Sequence, residues 1–214
     1  MRFCERVRRK LFQGTWNRNR AIFCEANRRH LTNKDFTIFS VNCIGGVVSH
    51  DFGLPFQSPT VNLYMSFGDF VKFCENPQRY VNTPLTEYVG GSNAKYPLAR
   101  LDDLLLHLVH YASFEEAKAA WARRIARINW DNIFLVGTDR DGCTPELMER
   151  FDKLPYRKVL FVHTPDSCPC HFYIRGYENQ GQVGNMTART DDKSGKLVLD
   201  QFDWVQFLNN GIVR

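Results

Sequence analysis

The run from Phe36 to Gly53, FTIFSVNCIGGVVSHDFG, constrains this chain more than any other stretch. An apolar segment, Phe36 to Val41, stops at Asn42-Cys43; the glycine pair Gly45-Gly46 follows, then a second apolar segment, Val47 to Phe52. This order predicts a buried strand, a tight turn and a short helix. It places a cysteine and backbone N–H groups at a helix N-terminus, where anions bind and thiol pKa values fall.

More elements of the same kind follow. Ile133–Gly137 (IFLVG) and Lys158–His163 (KVLFVH) read as buried strands, and Thr144-Pro145 between them reads as the N-cap and first residue of a helix reaching about Lys153. Strand, helix, strand with short joins is a βαβ unit and requires a parallel sheet. The expected fold is therefore α/β, a mainly parallel sheet flanked by helices, with room for two small α/β subdomains. Ser66 with Asp69 and Ser113 with Glu116 have capping-box spacing, which predicts helices over Phe67–Glu75 and Phe114–Ile128. Thr60–Met65 and Leu85–Val89 fit short strands. GGSN, residues 90–93, fits a flexible loop. Leu104–Tyr111 (LLLHLVHY) fits a buried strand, or a helix capped by Asp102-Asp103. His171–Arg175 fits a further strand. A polar region from Gly181 to Gly195 and a terminal helix over Asp203–Asn209 complete the chain.

Charge divides the chain in two. Residues 1–30 hold nine Lys and Arg against two Glu, a net +7, so the remainder carries −2 of the overall +5. Residues 1–30 are read as a basic helical segment and 31–214 as a single α/β domain. Phe3, Val7 and Leu11 recur at four-residue steps along the segment. Such a helix either lies on an anionic membrane surface or packs its stripe on the domain. No aromatic–basic interleaving or binding motif points to nucleic acid. No apolar run reaches the roughly 20 residues that span a bilayer, and the N-terminus lacks the apolar core and cleavage site of a secretory signal. Seven cysteines without framework spacing fit free thiols in a reducing, cytoplasmic setting.

Three polar residues stand directly after strands expected to be parallel: Cys43, Asp139 and His163. Ligands collect at the carboxyl ends of such strands. As a set they can act as nucleophile, base and orienting carboxylate, although strand ends carry polar residues in any such fold. Asn42, Gly45 and Gly46 can cradle phosphate on backbone N–H groups. Equally, the glycines can serve only to bring helix and strand close. No GxGxxG or GKS/T fingerprint is present. HTPDSCPCH contains His163, Cys168, Cys170 and His171, four potential zinc ligands, yet Cys-Pro-Cys is tighter than the usual spacing and a second ligand pair is missing. The sequence thus assigns no metal and names no cofactor. His107 and His110, in an apolar run, are read as core histidines. Asp139-Arg140-Asp141-Gly142 is read as a turn before an acidic Mg²⁺ pair.

The segments FTIFSVNCIGG, GLPFQSPTVNLYMSFGDFVKF, YPLARLDDLLLHLVHY and SFEEAKAAWARRIARINWDNIFLV, in this order, resemble a bacterial domain-of-unknown-function family, number nineteen-nineteen, often labelled exopolysaccharide-biosynthesis proteins. The resemblance covers roughly Phe36 to His163. Where Asn-Asn-Cys-Trp is expected, this chain has Val41-Asn42-Cys43-Ile44, keeping the Asn-Cys pair without the aromatic. The CPCH cluster is not part of the resemblance. What it implies is an α/β protein of capsule or exopolysaccharide synthesis, whose substrates are nucleotide sugars, lipid-linked sugars or acyl donors. The leading expectation is a transferase acting on a phosphate-bearing sugar donor, with phosphate at Asn42–Gly46, Asp139 and His163 acting on the acceptor hydroxyl, and Cys43 lining the cleft. A cysteine-nucleophile hydrolase or acyltransferase using Cys43, His163 and Asp139 is the first alternative. A non-catalytic binding module of a polysaccharide-assembly complex is the second.

Overall fold

A computed structural model describes residues 3–90 and 94–214, with side chains described from residue 8 onward. Within it, β1 (Thr37–Ser40), β5 (Ile133–Thr138), β6 (Arg157–Val162) and β7 (His171–Tyr173) form one sheet in the order β1-β5-β6-β7. Every adjacent pair is parallel. The expected α/β fold is therefore present. A smaller antiparallel sheet, β2 (Thr86–Glu87), β3 (Leu98–Leu101) and β4 (Leu104–His107), lies in the crossover between β1 and β5.

Strand periodicity sorts the core into two layers. Phe39, Leu135, Leu160 and Val162 face one side, packing with Phe67, Phe70, Phe73, Phe151 and the antiparallel sheet. Ile38, Phe134, Val136, Val159 and Phe161 face the other, packing with Ile44, Val48, Phe202, Trp204 and Phe207. Two covered faces explain why these strands read as continuous apolar runs rather than alternating ones.

The capping signals set helix starts as the spacing predicts. Ser66 Oγ accepts from Asp69 N at the head of α3 (Phe67–Glu75), and Ser113 Oγ from Glu116 N at the head of α5 (Phe114–Ile125). Thr144 caps α6 (Pro145–Asp152), with Pro145 at its start. α3 ends before Pro77, which opens the short helix α4 (Pro77–Val81). α5 stops three residues short of Ile128, because Arg127 and Ile128 bond back to the carbonyls of Arg124 and Ile125 and tighten the last turn. A 3₁₀ turn (Val198–Gln201) and α7 (Trp204–Asn210) complete the chain.

Three expectations need correction. Thr60–Met65 is not a strand: Asn62 has φ +67°, and only Tyr64 bridges to His107. The strand expected over Leu104–Tyr111 ends at His107, and Asp102-Asp103 is not a helix cap but the two-residue hairpin turn between β3 and β4, with Asp102 at φ +58°. The third concerns α1 (Phe3–His30), whose expected stripe of Phe3, Val7 and Leu11 can be followed only at Leu11. Leu11 is 75% exposed, and the side chains of Phe3 and Val7 lie outside the described residues. The docking face is Trp16, Arg20 and Cys24, at four-residue spacing, with buried Leu31 just beyond the helix. Arg20 forms ion pairs with Asp51 and Asp200 and donates to the Gly195 carbonyl at 3.2 Å. The GGSN loop lies largely outside the described residues. Among the described residues, no helix is long and apolar enough to cross a membrane.

Candidate active site

A cavity of about 420 Å³ opens at the carboxyl ends of β1 and β5. Asn42, Cys43 and Ile44 form one wall, Arg140 and Asp141 a second, Tyr64 and His110 a third, and Asn185 to Thr187 a fourth. Helix α2 (Ile44–Asp51) starts in this wall.

Asn42 organises the turn. Its Oδ1 accepts from Ile44 N at 3.1 Å, satisfying one of the free donors at the start of α2. Its Nδ2 reaches Thr138 Oγ1 at 3.5 Å, linking the ends of β1 and β5. Gly45 and Gly46 are buried beneath the cavity wall and do not line it. A Cβ on Gly45 would stand 3.0 Å from Ile38 Cγ2 and Ser40 Cβ, and one on Gly46 3.1 Å from Val61 Cγ1. Their missing side chains let α2 pack directly on β1 and the Val61 segment.

Cys43 is the N-cap residue of α2, but its side chain caps nothing. The thiol instead meets His110 Nε2 at 3.1 Å. His110 follows β4 in a turn fixed by its neighbours. Leu108 is buried and accepts from Tyr111 N, while the Tyr111 hydroxyl donates to the Val61 carbonyl at 3.2 Å and accepts from Arg124 at 2.5 Å. The exposed imidazole thus sits on an anchored loop. Burial pushes the Cys43 thiol up from its ordinary pKa, against the lowering that the sequence leads one to expect at a helix N-terminus. Tyr64 stacks on His107 with ring centroids 4.2 Å apart, and burial pushes its hydroxyl up to about 12. Arg140 donates to the Gly184 carbonyl at 2.9 Å and lies 3.3 Å from Asp141.

Asp139 and His163 come together, with His163 Nδ1 2.5 Å from Asp139 Oδ2. Asp139 also accepts the backbone N–H groups of His163 and Val183, each at 2.7 Å. Neither residue lines the cavity. Of the expected set Cys43, Asp139 and His163, only Cys43 faces the cavity, and its partner is His110. The sequence reading of His110 as a core histidine is corrected: the residue is exposed and lines the cavity, because the apolar element Leu104–Tyr111 does not continue as a strand to its end. The strand ends at His107, which frees His110 to turn outward. Tyr64, Arg140 and the Asn185–Thr187 wall were also missed as cavity residues, since their assembly depends on long-range packing.

A parallel sheet with a thiol–imidazole pair at its carboxyl end defines an α/β protein with a candidate catalytic pocket. The chain belongs to the family described as a domain of unknown function, DUF1919, whose model matches residues 15–209. It is 40% identical over 195 residues to an uncharacterized protein of Haemophilus influenzae, covering 90% of this chain and 93% of the relative. The match extends beyond the Phe36–His163 span that carries the sequence resemblance.

Proposed function

We propose that the cavity is the active site of a cysteine-dependent acyltransferase or hydrolase, with Cys43 as nucleophile and His110 as its base. The observation that carries this reading is the 3.1 Å contact between Cys43 Sγ and His110 Nε2 on the cavity wall. An imidazole at that distance can take the thiol proton as sulfur attacks a carbonyl and return it to the leaving group. The resemblance to proteins labelled exopolysaccharide biosynthesis supplies the context, in which a sugar hydroxyl would accept the acyl group. The six described cysteines are free, which fits a reducing, cytoplasmic setting.

The test uses an activated ester such as p-nitrophenyl acetate. Cys43 attacks the carbonyl, p-nitrophenolate leaves, and a thioester forms. Mass spectrometry should find the acetyl group on Cys43, with much slower labelling in His110→Gln. Acetylation spread evenly over the thiols, or unchanged by His110→Gln, would sink the reading.

A second reading, a transferase using a phosphate-bearing sugar donor, is favoured by one feature. Arg140 and the start of α2 line the same cavity, and both suit an anionic group. Nucleotide sugars at about 100 times Kd should then stabilise the protein by roughly 2.7 kcal/mol, a gain lost in Arg140→Gln. Binding without turnover of any substrate would leave the cavity to a non-catalytic module.

A further inference from the structure

We propose a zinc site formed by Asp152, Cys168, Cys170 and His171, remote in function from the cavity. One potential ligand atom from each of the four lies within 4.8 Å of all the others. Cys168 and Cys170 Sγ are 3.4 Å apart, Cys170 Sγ is 3.2 Å from Asp152 Oδ1, and His171 Nε2 is 3.0 Å from the same oxygen. A tetrahedron with Zn–S of about 2.3 Å and Zn–N or Zn–O of about 2.0 Å has edges of roughly 3.3–3.8 Å. For these three pairs an ion needs a separation of only a few tenths of an ångström, and the remaining pairs lie within 4.8 Å.

The backbone assembles this set locally. Cys168 N donates to Asp166 Oδ1 at 3.0 Å, and His171 N donates to the Cys168 carbonyl at 3.1 Å, folding the CPCH run into a turn. The Cys170 carbonyl accepts from Leu160 N of β6 at 2.9 Å, hanging that turn on the sheet. Asp152, the last residue of α6, supplies the ligand that sequence spacing could not reveal. His163, the fourth candidate in the sequence motif, pairs with Asp139 instead.

The surroundings also match a metal centre. The His171 side chain is 6% exposed, and its Nδ1 lies 2.5 Å from Asp166 Oδ2. A ligating histidine commonly donates its second nitrogen to a carboxylate in this way. Among the described residues, no Lys or Arg pairs with Asp152 or Asp166. Two sulfurs, one imidazole and one carboxylate favour zinc over magnesium or calcium. A site with four protein ligands is structural rather than catalytic. It would fasten β7, only three residues long, to the end of α6.

The test is metal content per chain of protein purified without a chelating tag, followed by cobalt substitution. We expect one tightly held zinc per chain, visible tetrahedral cobalt–thiolate bands after exchange, and a lower melting temperature after chelation. Cys168→Ser with Cys170→Ser should abolish metal and bands, while Cys43→Ser should keep both. If the double variant does not fold, Asp166→Asn keeps all four ligands and should weaken zinc binding about 10- to 100-fold. Metal-free protein whose cobalt form lacks the bands, a Cys168–Cys170 disulfide found on mass analysis, or zinc bound equally tightly by the double variant or by Asp166→Asn, each overturns the site.

Discussion

Asp139 holds His163 twice, through the backbone N–H and through ring Nδ1, and both bonds end on the same carboxylate oxygen, Oδ2. The other oxygen takes Val183 N. One side chain, 6% exposed, therefore ties the ends of β5 and β6 to the loop that becomes the Asn185–Thr187 wall of the cavity.

Asp139→Ala removes all three bonds and leaves two backbone donors without their partner. Each such loss costs about 1–3 kcal/mol, so urea unfolding should show a deficit of about 3 kcal/mol. Asp139→Asn keeps an acceptor for one side of the clamp and should lose less. If both variants keep full stability, the clamp is not structural.

Gly45→Ala and Gly46→Ala test whether the glycine pair serves packing. The added methyl meets Ile38 and Ser40 in the first case and Val61 in the second, at 3.0–3.1 Å. Overpacking of this kind costs about 1–3 kcal/mol. The loss should appear as a lower denaturation midpoint with no ligand present. Full stability combined with lost nucleotide-sugar binding would return the pair to a ligand role.

The attachment of α1 can be broken at two points. Removing the Arg20 side chain with Ala leaves the Asp200 carboxylate, whose side chain is 3% exposed, without its cation. Breaking a buried pair from one side costs about 3–5 kcal/mol. Gly195 has φ +75°, and a Cβ there would lie 2.2 Å from Arg20 N, so Gly195→Ala should displace the helix backbone. Both variants should become sensitive to proteolysis within α1 before the rest of the chain.

Asp191 gives the same contact a pH dependence. Backbone N–H groups of Ser194 and Lys193 hold its carboxylate, bringing its pKa down to about 2 from the ordinary 3.8. A carboxylate lowered on folding stabilises the turn above its unfolded pKa, and that contribution fades as pH falls toward the folded value. The Lys193 and Ser194 amides should stay protected from exchange above about pH 4 and lose protection between about pH 4 and 2. Asp191→Asn should flatten this response. The Lys193 carbonyl accepts from Asn19 of α1, so the turn and the helix should loosen together.

Local chemistry made much of the fold readable. The serine and threonine caps of α3, α5 and α6 act within three residues, so spacing alone places these helices. β5 and β6 are apolar on both faces because both are covered. The site was less legible. Cys43 was found because a strand–turn–helix puts it at a helix start, but its contact with His110 joins positions 67 residues apart and leaves no local pattern. Asp139 and His163 were correctly grouped as strand-end residues. Their mutual bond, however, turns them toward the loop at Val183, outside the cavity lining. The docking face of α1 was missed because its central residue is a charged arginine, buried against two acids, where hydropathy looks for a leucine.

The strand order has a consequence for how the chain is born. Thr37 of β1 pairs with Ile133 of β5, so β1 leaves the ribosome long before its ladder partner exists. Pairing so distant in sequence is slow, and an unpaired apolar strand is exposed to misassociation in the meantime. The nearer segment offers interim cover: Thr60 Oγ1 accepts from Ser40 N, and the Gln57 carbonyl accepts from Thr37 Oγ1. Residues 57–60 can therefore shield the nascent strand during synthesis, before the sheet that will own it has been made.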